Sequence, residues 1–331
     1  MATIKDIARE TGLGIATISS YLNGGSVRKA NKEKIEAAIE KLHFEVNEMA
    51  RGLKTNKTKI VGIVIPELNN VFYAEIITEV EDLLRSKGYA TMLCDCRSDG
   101  QREEEALEFL YKKRVDGLIW IPTKQSSKTI EKYELAKKPV VVVDRRVEQN
   151  WCDCVLSDNL RAAKEAVGLF TKAGHKKIAM ITGPEDIYTA KERRRGYRES
   201  IKELLQEEPI EVCGNYTIQG GMEAMLSLLN EKSDISAVLI SNYEMTLGSM
   251  IALNDQGIKI PEELSLIGFD NIQFAKASIP KLTIITQPTD KMGRLAAERI
   301  LERMEDVKKE SGCEWLLKTG ILLGKSIKNL A

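Results

Sequence analysis

"TIKDIARETGLGIATISSYLNG", residues 3–24, consists of two short helical phrases around a break, and the break decides how the N-terminal region folds. Thr3 carries the oxygen an N-cap needs, and Asp6 stands three residues on in a capping-box-like position, so Ile4 to Thr11 reads as a helix. Gly12 to Gly14 interrupts it, and Ile15 to Leu22 resumes. Ala8, Gly12 and Ile18 have the types and spacing of a helix-turn-helix. The small residue sits where the helices touch, the glycine supplies the left-handed turn, and the apolar residue pins the second helix to the first. On that second helix, positions 15, 16, 19, 20 and 23 share the face opposite Ile18 and Leu22, so the outward face reads Ile, Ala, Ser, Ser, Asn.

Further along, "RKANKEKIEAAIEKLHF" places Ile35, Ala38, Ile39 and Leu42 at helical spacing, giving a third helix. The next stretch, "EVNEMARGLKTNKTK", is polar and basic and has only Met49, Ala50 and Leu53 as apolar residues after Val46. Too short and too poor in apolar residues to be stable alone, it reads as a linker that orders on a partner. From Ile60 the pattern alternates. Short β-branched runs such as "IVGIVIP", "ATMLC", "GLIWIP", "VVVVD", "KIAMITG", "AVLIS", "LSLIGFD" and "LTIITQP" are nearly all apolar, as in parallel strands covered on both faces. Amphipathic stretches, including 72–87, 101–113, 160–173, 191–206 and 245–256, separate them. The expected fold is α/β: an all-α headpiece followed by two doubly wound parallel-sheet lobes, with loops at the carboxyl ends of the strands facing each other across a cleft.

At 331 residues, 43% hydrophobic and 30% charged, the chain has room for a headpiece and two lobes. Its formal net charge is zero, but residues 1–59 carry eleven Lys/Arg against seven Asp/Glu, which leaves the remainder at −4. A polyanionic partner therefore belongs to the N-terminal module. "MATIKDIARE" is charged where a signal peptide is apolar, and no apolar run approaches the ~18 residues of a membrane span, so the expected location is cytoplasmic, with no membrane partner. In that reducing setting the pairs Cys94/Cys96 and Cys152/Cys154 read as buried free thiols on strand faces rather than metal or redox sites. An enzyme is not expected: there is no glycine-rich phosphate loop or metal-ligand cluster, and the only histidines are His43 and His175. No cofactor and no metal are expected.

The opening stretch, with "NEMARGLKT", "NNVFYAEI", "RVDGLIW", "VVVDRR", "GHKKIAMITGP", "ERRRGY", "PEELSLIGFDN" and "LTIITQP", resembles in order the landmarks of LacI/GalR-type transcription regulators, and the resemblance spans essentially the whole chain. It implies a headpiece at 1–46, a hinge helix and linker at 47–59, and an effector-binding and dimerisation domain at 60–331. Within that domain the N-lobe is about 60–159 with 289–318, and the C-lobe about 160–288 with 319–331, as in periplasmic sugar-binding proteins. The implied function is a repressor of double-stranded operator DNA, working as a homodimer and controlled by a small-molecule effector, a sugar or sugar derivative, bound between the lobes. No heptad-bearing tail follows "GILLGKSIKNLA", so a coiled-coil tetramer is not expected.

The resemblance, taken with the outward face of the second helix, assigns DNA contacts to Thr3, Lys5, Ile15, Ala16, Thr17, Ser19, Ser20, Asn23, Arg28 and Lys29, and in the hinge to Asn47, Met49, Arg51, Leu53 and Lys54. Leu53, alone in a basic segment, takes the place of the residue that wedges into the minor groove. Three departures stand out. Ser20 occupies the position that commonly delivers an Arg to guanine, Phe44 to Asn47 lacks the usual proline, and the third helix opens on Arg28 and Lys29 instead of a serine cap. Ile15 and Ala16 suit thymine methyl groups, so base selectivity should be weak or A·T-leaning, with affinity supplied by phosphate contacts.

For the effector the resemblance carries over Asn70, Phe72, Tyr73, Asp144, Arg145, Asp158, Tyr188, Arg193, Asn242 and Asp270. Their chemistry suits a sugar: two-armed polar groups pair with vicinal hydroxyls while aromatic rings cover the apolar face. Arg194 and Arg195 beside Arg193 raise the question of a phosphorylated or acidic effector. "NNVFYAEI" and "GRLAAERILERM" also resemble the catabolite-control branch, whose corepressor is a phosphorylated carrier protein, and there Arg299 and Arg303 would meet a phosphoserine.

Overall fold

The structure, a computed structural model, describes residues 2–45, 57–123, 127–231, 234–305 and 311–331. The chain divides into two compact units, Met1–Thr58 and Lys59–Ala331.

The first unit holds α1 (Ile4–Thr11), α2 (Ile15–Leu22) and α3 (Lys29–Lys41). Thr3 donates to the Asp6 carboxylate through its backbone N–H at 2.9 Å and its hydroxyl at 2.7 Å, which fixes the start of α1. Those bonds hold the Asp6 carboxyl below its usual range. Gly12, left-handed at φ 66°, ends α1 with its N–H on the Ala8 carbonyl. Ile7, Ile18, Ile35 and Ala38 form the centre of the three-helix core, with Ala8, Tyr21 and Leu22 against it.

The second unit contains two six-stranded sheets. One is built from β1 (Ile60–Ile65), β2 (Ala90–Asp95), β3 (Gly117–Trp120), β4 (Val140–Val143), β5 (Asp153–Ser157) and β11 (Glu314–Leu317), in the order β11-β5-β4-β3-β1-β2, all parallel. The other contains β6 (Ile178–Thr182), β7 (Ile210–Cys213), β8 (Ala237–Ile240), β9 (Ser265–Phe269), β10 (Thr283–Thr286) and β12 (Gly320–Leu322), ordered β12-β10-β9-β8-β6-β7 and parallel except for the antiparallel edge strand β12. The central strands are the β-branched runs, buried on both faces.

Helices cover both sheets. α4 (Val71–Ser86) and α12 (Thr289–Glu305) pack together on the first, where Ile76, Val80 and Leu84 meet Met292, Ala296 and Ile300. α5 (Gly100–Lys112) and α6 (Ile130–Leu135) cover its other face. On the second sheet α7 (Asn159–Lys172) pairs with α8 (Tyr188–Ser200), whose last turn continues as a π-helix over Ile201–Leu205. α9 (Ile218–Glu231) pairs with α10 (Tyr243–Asp255) on the opposite face, and α11 (Ile272–Ala277) follows β9. The chain passes between the lobes after β5, after β10 and after β11, so α12 returns to the first lobe from the second. Among the described residues no helix is long and apolar enough to cross a membrane.

Candidate functional site

In the headpiece the outward face of α2 is available. Ile15 is 49% exposed, Ala16 and Asn23 are exposed, and Thr17, Ser19 and Ser20 are half-buried, while Ile18 is fully buried beneath them. Asn23 donates its amide to the Ser19 carbonyl at 2.7 Å, closing the end of the helix. Ser20 lies under the following turn: Gly25 donates its N–H to the Ser20 carbonyl at 2.8 Å, and a Cβ at Gly25 would stand 2.4 Å from the Ser20 hydroxyl. Thr3, Lys5, Arg28 and Lys29 are exposed, and none of the three cations is in an ion pair among the described residues. Arg28 occupies the N-cap of α3 without a side-chain cap bond, so two cations stand where the helix dipole is unfavourable to them. Asn47, Met49, Arg51, Leu53 and Lys54 lie outside the described residues.

Between the two lobes lies a cavity of about 460 Å³, set at the carboxyl ends of the strands. Eight carried-over positions line it: Asn70, Phe72, Tyr73, Asp144, Arg145, Arg193, Asn242 and Asp270. Each is held by a local device. Asn70 caps α4 by accepting the Phe72 N–H at 2.9 Å, which orients the Phe72 and Tyr73 rings into an edge-on pair 5.3 Å apart. Asn242 caps α10 by accepting the Met245 N–H at 3.0 Å. Asp144 and Asp270 end their strands in left-handed backbone, at φ 66° and 60°, which turns each side chain away from the sheet.

The two guanidiniums are fixed by the protein itself. Arg193, 3% exposed, donates Nε to Asn159 Oδ1 at 2.7 Å and Nη1 to the Ser241 carbonyl, and stacks 4.2 Å over the Phe269 ring. Arg145 donates Nη1 to the Pro122 carbonyl and Nη2 to the Tyr73 hydroxyl at 3.3 Å. Around them several buried polar atoms have no hydrogen-bond partner among the described residues, including Asp144 Oδ1, Arg145 Nε and Gln287 Oε1 of the lining. Burial costs such atoms most of a hydrogen bond each, so a cavity that gathers them is arranged for a polar occupant. Burial also pushes the Asp144 carboxyl up against the opposing pull of Arg145 and Arg193. Asp270 rises to about 6 for the same reason, although it accepts from Gln287 Nε2 at 3.1 Å.

Asp158 and Tyr188 do not belong to this lining. Asp158 caps α7 by accepting the Arg161 N–H at 3.1 Å, and its own N–H donates to the Leu317 carbonyl at 2.9 Å, so it sits at an inter-lobe crossing. The Tyr188 ring lies beneath Arg146 and against the core of the first lobe, where burial raises its hydroxyl to about 12. In their place the structure supplies Tyr216, Glu244 and Gln287. Tyr216 follows β7, a strand too short and polar to read from the sequence, and its ring covers Gly183 so closely that a Cβ there would come within 2.3 Å. Glu244 accepts amide N–H bonds from Asn70 at 2.9 Å and Asn242 at 2.7 Å, and burial, with Asp270 and Glu67 nearby, raises it to about 7. Gln287 directly follows the strand in "LTIITQP", and that position is the signal the sequence offers.

The extra arginines do not enter the cleft. Arg194 pairs with Glu185 and Glu211, and Arg195 with Glu192. Nor do Arg299 and Arg303 form an open phosphate-binding face. Both reach the fully buried carboxylate of Asp153, Arg303 at 2.6 Å, and Arg299 also stacks on Trp315. Cys96, Cys152 and Cys154 are buried and Cys94 and Cys313 half-buried, and burial pushes the thiols of Cys94, Cys96, Cys152 and Cys154 upward. Cys213 is exposed. No cluster of potential metal ligands occurs among the described residues.

The family model described as bacterial regulatory proteins of the lacI family matches residues 3–47, and that of periplasmic binding proteins and the sugar-binding domain of the LacI family matches residues 58–317. The ribose operon repressor of Escherichia coli (strain K12) is 34% identical over 310 residues, covering 92% of this chain and 93% of its own. A LacI-family regulator from Enterococcus faecium, solved with bound ribose, is 27% identical with a TM-score of 0.75, covering 82% of this chain and all of that one. The lac repressor dimer, solved on operator DNA with an anti-inducer, shares the fold at a TM-score of 0.87 and 23% identity, covering 99% of both chains. A helix-turn-helix headpiece, two facing α/β lobes and a polar cleft between them place this chain in the LacI family of bacterial transcription regulators, as a DNA-binding repressor answering to a small-molecule effector.

Proposed function

We propose that the effector is a small sugar of pentose size, with ribose the first candidate, bound in the inter-lobe cleft by Asn70, Phe72, Tyr73, Asp144, Arg145, Arg193, Asn242 and Asp270 together with Tyr216 and Gln287. The observation that carries this reading is the combination of buried, unpartnered polar atoms with aromatic rings from both lobes, Phe72 and Tyr73 on one side and Tyr216 on the other. Dense hydroxyls offer donors and acceptors together, and the C–H faces of a sugar ring suit aromatic walls. The ribose repressor relationship and the ribose-bound neighbour support the same chemistry. Residues 1–46 act as the DNA-reading headpiece, 47–59 as the hinge and 60–331 as the effector domain of a homodimer. The protein works in the cytoplasm, where its operator is, and is not an enzyme.

Control follows from differential affinity. A sugar that bridges both lobes stabilises one lobe arrangement over another, and only that difference can shift the DNA-binding population. Titration calorimetry of the full chain with ribose, other pentoses and hexoses tests the reading, alongside operator binding at one fixed salt concentration. Saturable ribose binding that changes operator affinity is the expected result. Preference for a hexose or a nucleoside over every pentose would sink the pentose assignment.

A further inference from the structure

We propose that the cleft admits its effector only in uncharged form and rejects anionic relatives, such as sugar monophosphates and sugar acids. The inference rests on the sugar reading above and sets the charge class of the same site.

Among the described residues the lining carries six carboxylates, Glu67, Glu75, Asp144, Asp186, Glu244 and Asp270, against two guanidiniums, with no lysine or histidine. Binding a phosphate calls for cationic donors that can turn to meet it, and these two guanidiniums are anchored by the protein, although Arg145 Nε itself has no partner. Three of the four donating groups described above, Arg193 Nε and Nη1 and Arg145 Nη1, end on protein oxygens fixed by strand or loop backbone or by Asn159, and the fourth ends on Tyr73. The arginines that could have changed the balance, Arg194 and Arg195, are bound to glutamates away from the lining. Arg145 and Arg193 offset Asp144 and Asp270 in part, but Glu67, Glu75 and Glu244 meet only neutral donors among the described residues. Glu67 accepts from the Ser98 hydroxyl at 2.9 Å, Glu75 from Thr289 at 2.9 Å, and Glu244 from two amides. Hydrogen bonds from neutral donors orient these carboxylates and bring no positive charge to them. A sugar monophosphate brings between one and two negative charges at neutral pH into that field, whereas the hydroxyls of a neutral sugar can donate to the same carboxylates. The raised carboxyls of Asp270 and Glu244 report the same crowding of negative charge and burial.

The test is a panel of neutral monosaccharides and their monophosphate esters, titrated calorimetrically into the full chain at pH 7.5 and at two salt concentrations. The expected result is that the neutral sugar that binds best loses about 100-fold or more on phosphorylation at low salt, and that the gap narrows at high salt because it is electrostatic. Glu67→Gln, remote from the arginines' bonds, should narrow it further. An ester that binds as tightly as its parent overturns the charge filter while leaving the sugar reading intact. A salt-independent gap that Glu67→Gln does not change also overturns it, since that is steric exclusion. If a neutral hexose binds and its ester does not, the filter stands and the pentose assignment falls. Silence from the whole panel removes both.

Discussion

Asn70 Nδ2 donates to Glu244 Oε1 at 2.9 Å, and this bond spans the cleft, joining the N-cap of α4 in one lobe to the first turn of α10 in the other. The same Asn70 side chain turns its oxygen to the Phe72 N–H, so the amide is oriented before it reaches across. Glu244 is likewise held from its own lobe by Asn242. The clasp therefore links the N-caps Asn70 and Asn242 through Glu244, and all three line the effector cavity.

Glu244→Gln keeps the size of the side chain but presents an amide to two amide donors, so one contact is lost or becomes repulsive. A hydrogen bond to a charged group contributes about 1.5–3 kcal/mol, and effector affinity is expected to fall about tenfold with effector-free operator affinity within a few-fold of wild type. Calorimetry and a fixed-salt operator titration measure both. Unchanged effector affinity would show that the clasp has no part in holding the lobes for the ligand.

The raised carboxyls give the stability of the effector domain a distinctive pH dependence. Asp270 sits at about 6 and Glu244 at about 7, both above their unfolded values, so the folded state holds these protons more tightly. That contribution is complete below about pH 4 and is lost as pH rises through 6 and 7. Asp270→Asn removes one of these groups. Its melting temperature relative to wild type should climb from pH 4.5 to about 6.5 and then level off, and parallel profiles for the two proteins would contradict the assignment.

Two glycines should respond to alanine in opposite directions. A Cβ at Gly248 would stand 1.9 Å from the Ile218 carbonyl, where α9 and α10 touch, so Gly248→Ala forces the helices apart at a cost of about 1–3 kcal/mol or more. At Gly168, inside α7, a Cβ meets nothing within 4 Å, and alanine there should add about 0.5–1 kcal/mol. Thermal or urea unfolding of both variants decides the matter, and equal signs would refute it.

Ser20→Arg is expected to create a G·C preference at one symmetric pair of operator positions, worth about 1–3 kcal/mol per half-site, where the wild-type hydroxyl rejects little. Discrimination elsewhere should be unchanged. A saturation series of operator variants against both proteins reads this directly. Strong wild-type discrimination at that pair, unaltered by the substitution, would mean that Ser20 does not face the bases.

What could be read from the sequence follows from burial. Runs such as Val140–Val143 and Ser265–Phe269 are covered on both faces and so are almost purely apolar, and the helix-turn-helix is spelled out by Ala8, Gly12 and Ile18. Edge strands carry less of that signature. β7 is only partly buried, β11 alternates exposed and half-buried residues, and β12 has three residues, so none stands out. The cleft divides in the same way. Residues directly after legible strands, Asp144 and Asp270, were placed by position, whereas Tyr216 depends on the unread β7. Asp158 comes from the family resemblance alone, but β5 leads into an inter-lobe crossing, and its carboxylate is used to start a helix.

The final pair of strands has a consequence for biosynthesis. β11 completes the edge of the first sheet and β12, three residues later, the edge of the second, while the chain beyond them ties Leu330 back to Ala173 and Lys328 to His175. Neither lobe can finish its sheet on the ribosome until residues 314–322 have emerged, although the three-helix headpiece, whose core closes among residues 4–44, can fold hundreds of residues earlier. A nascent or prematurely terminated chain thus has its DNA-reading module formed before either lobe can respond to a ligand. Messages cut short in this region would yield fragments with a finished headpiece and no sensor.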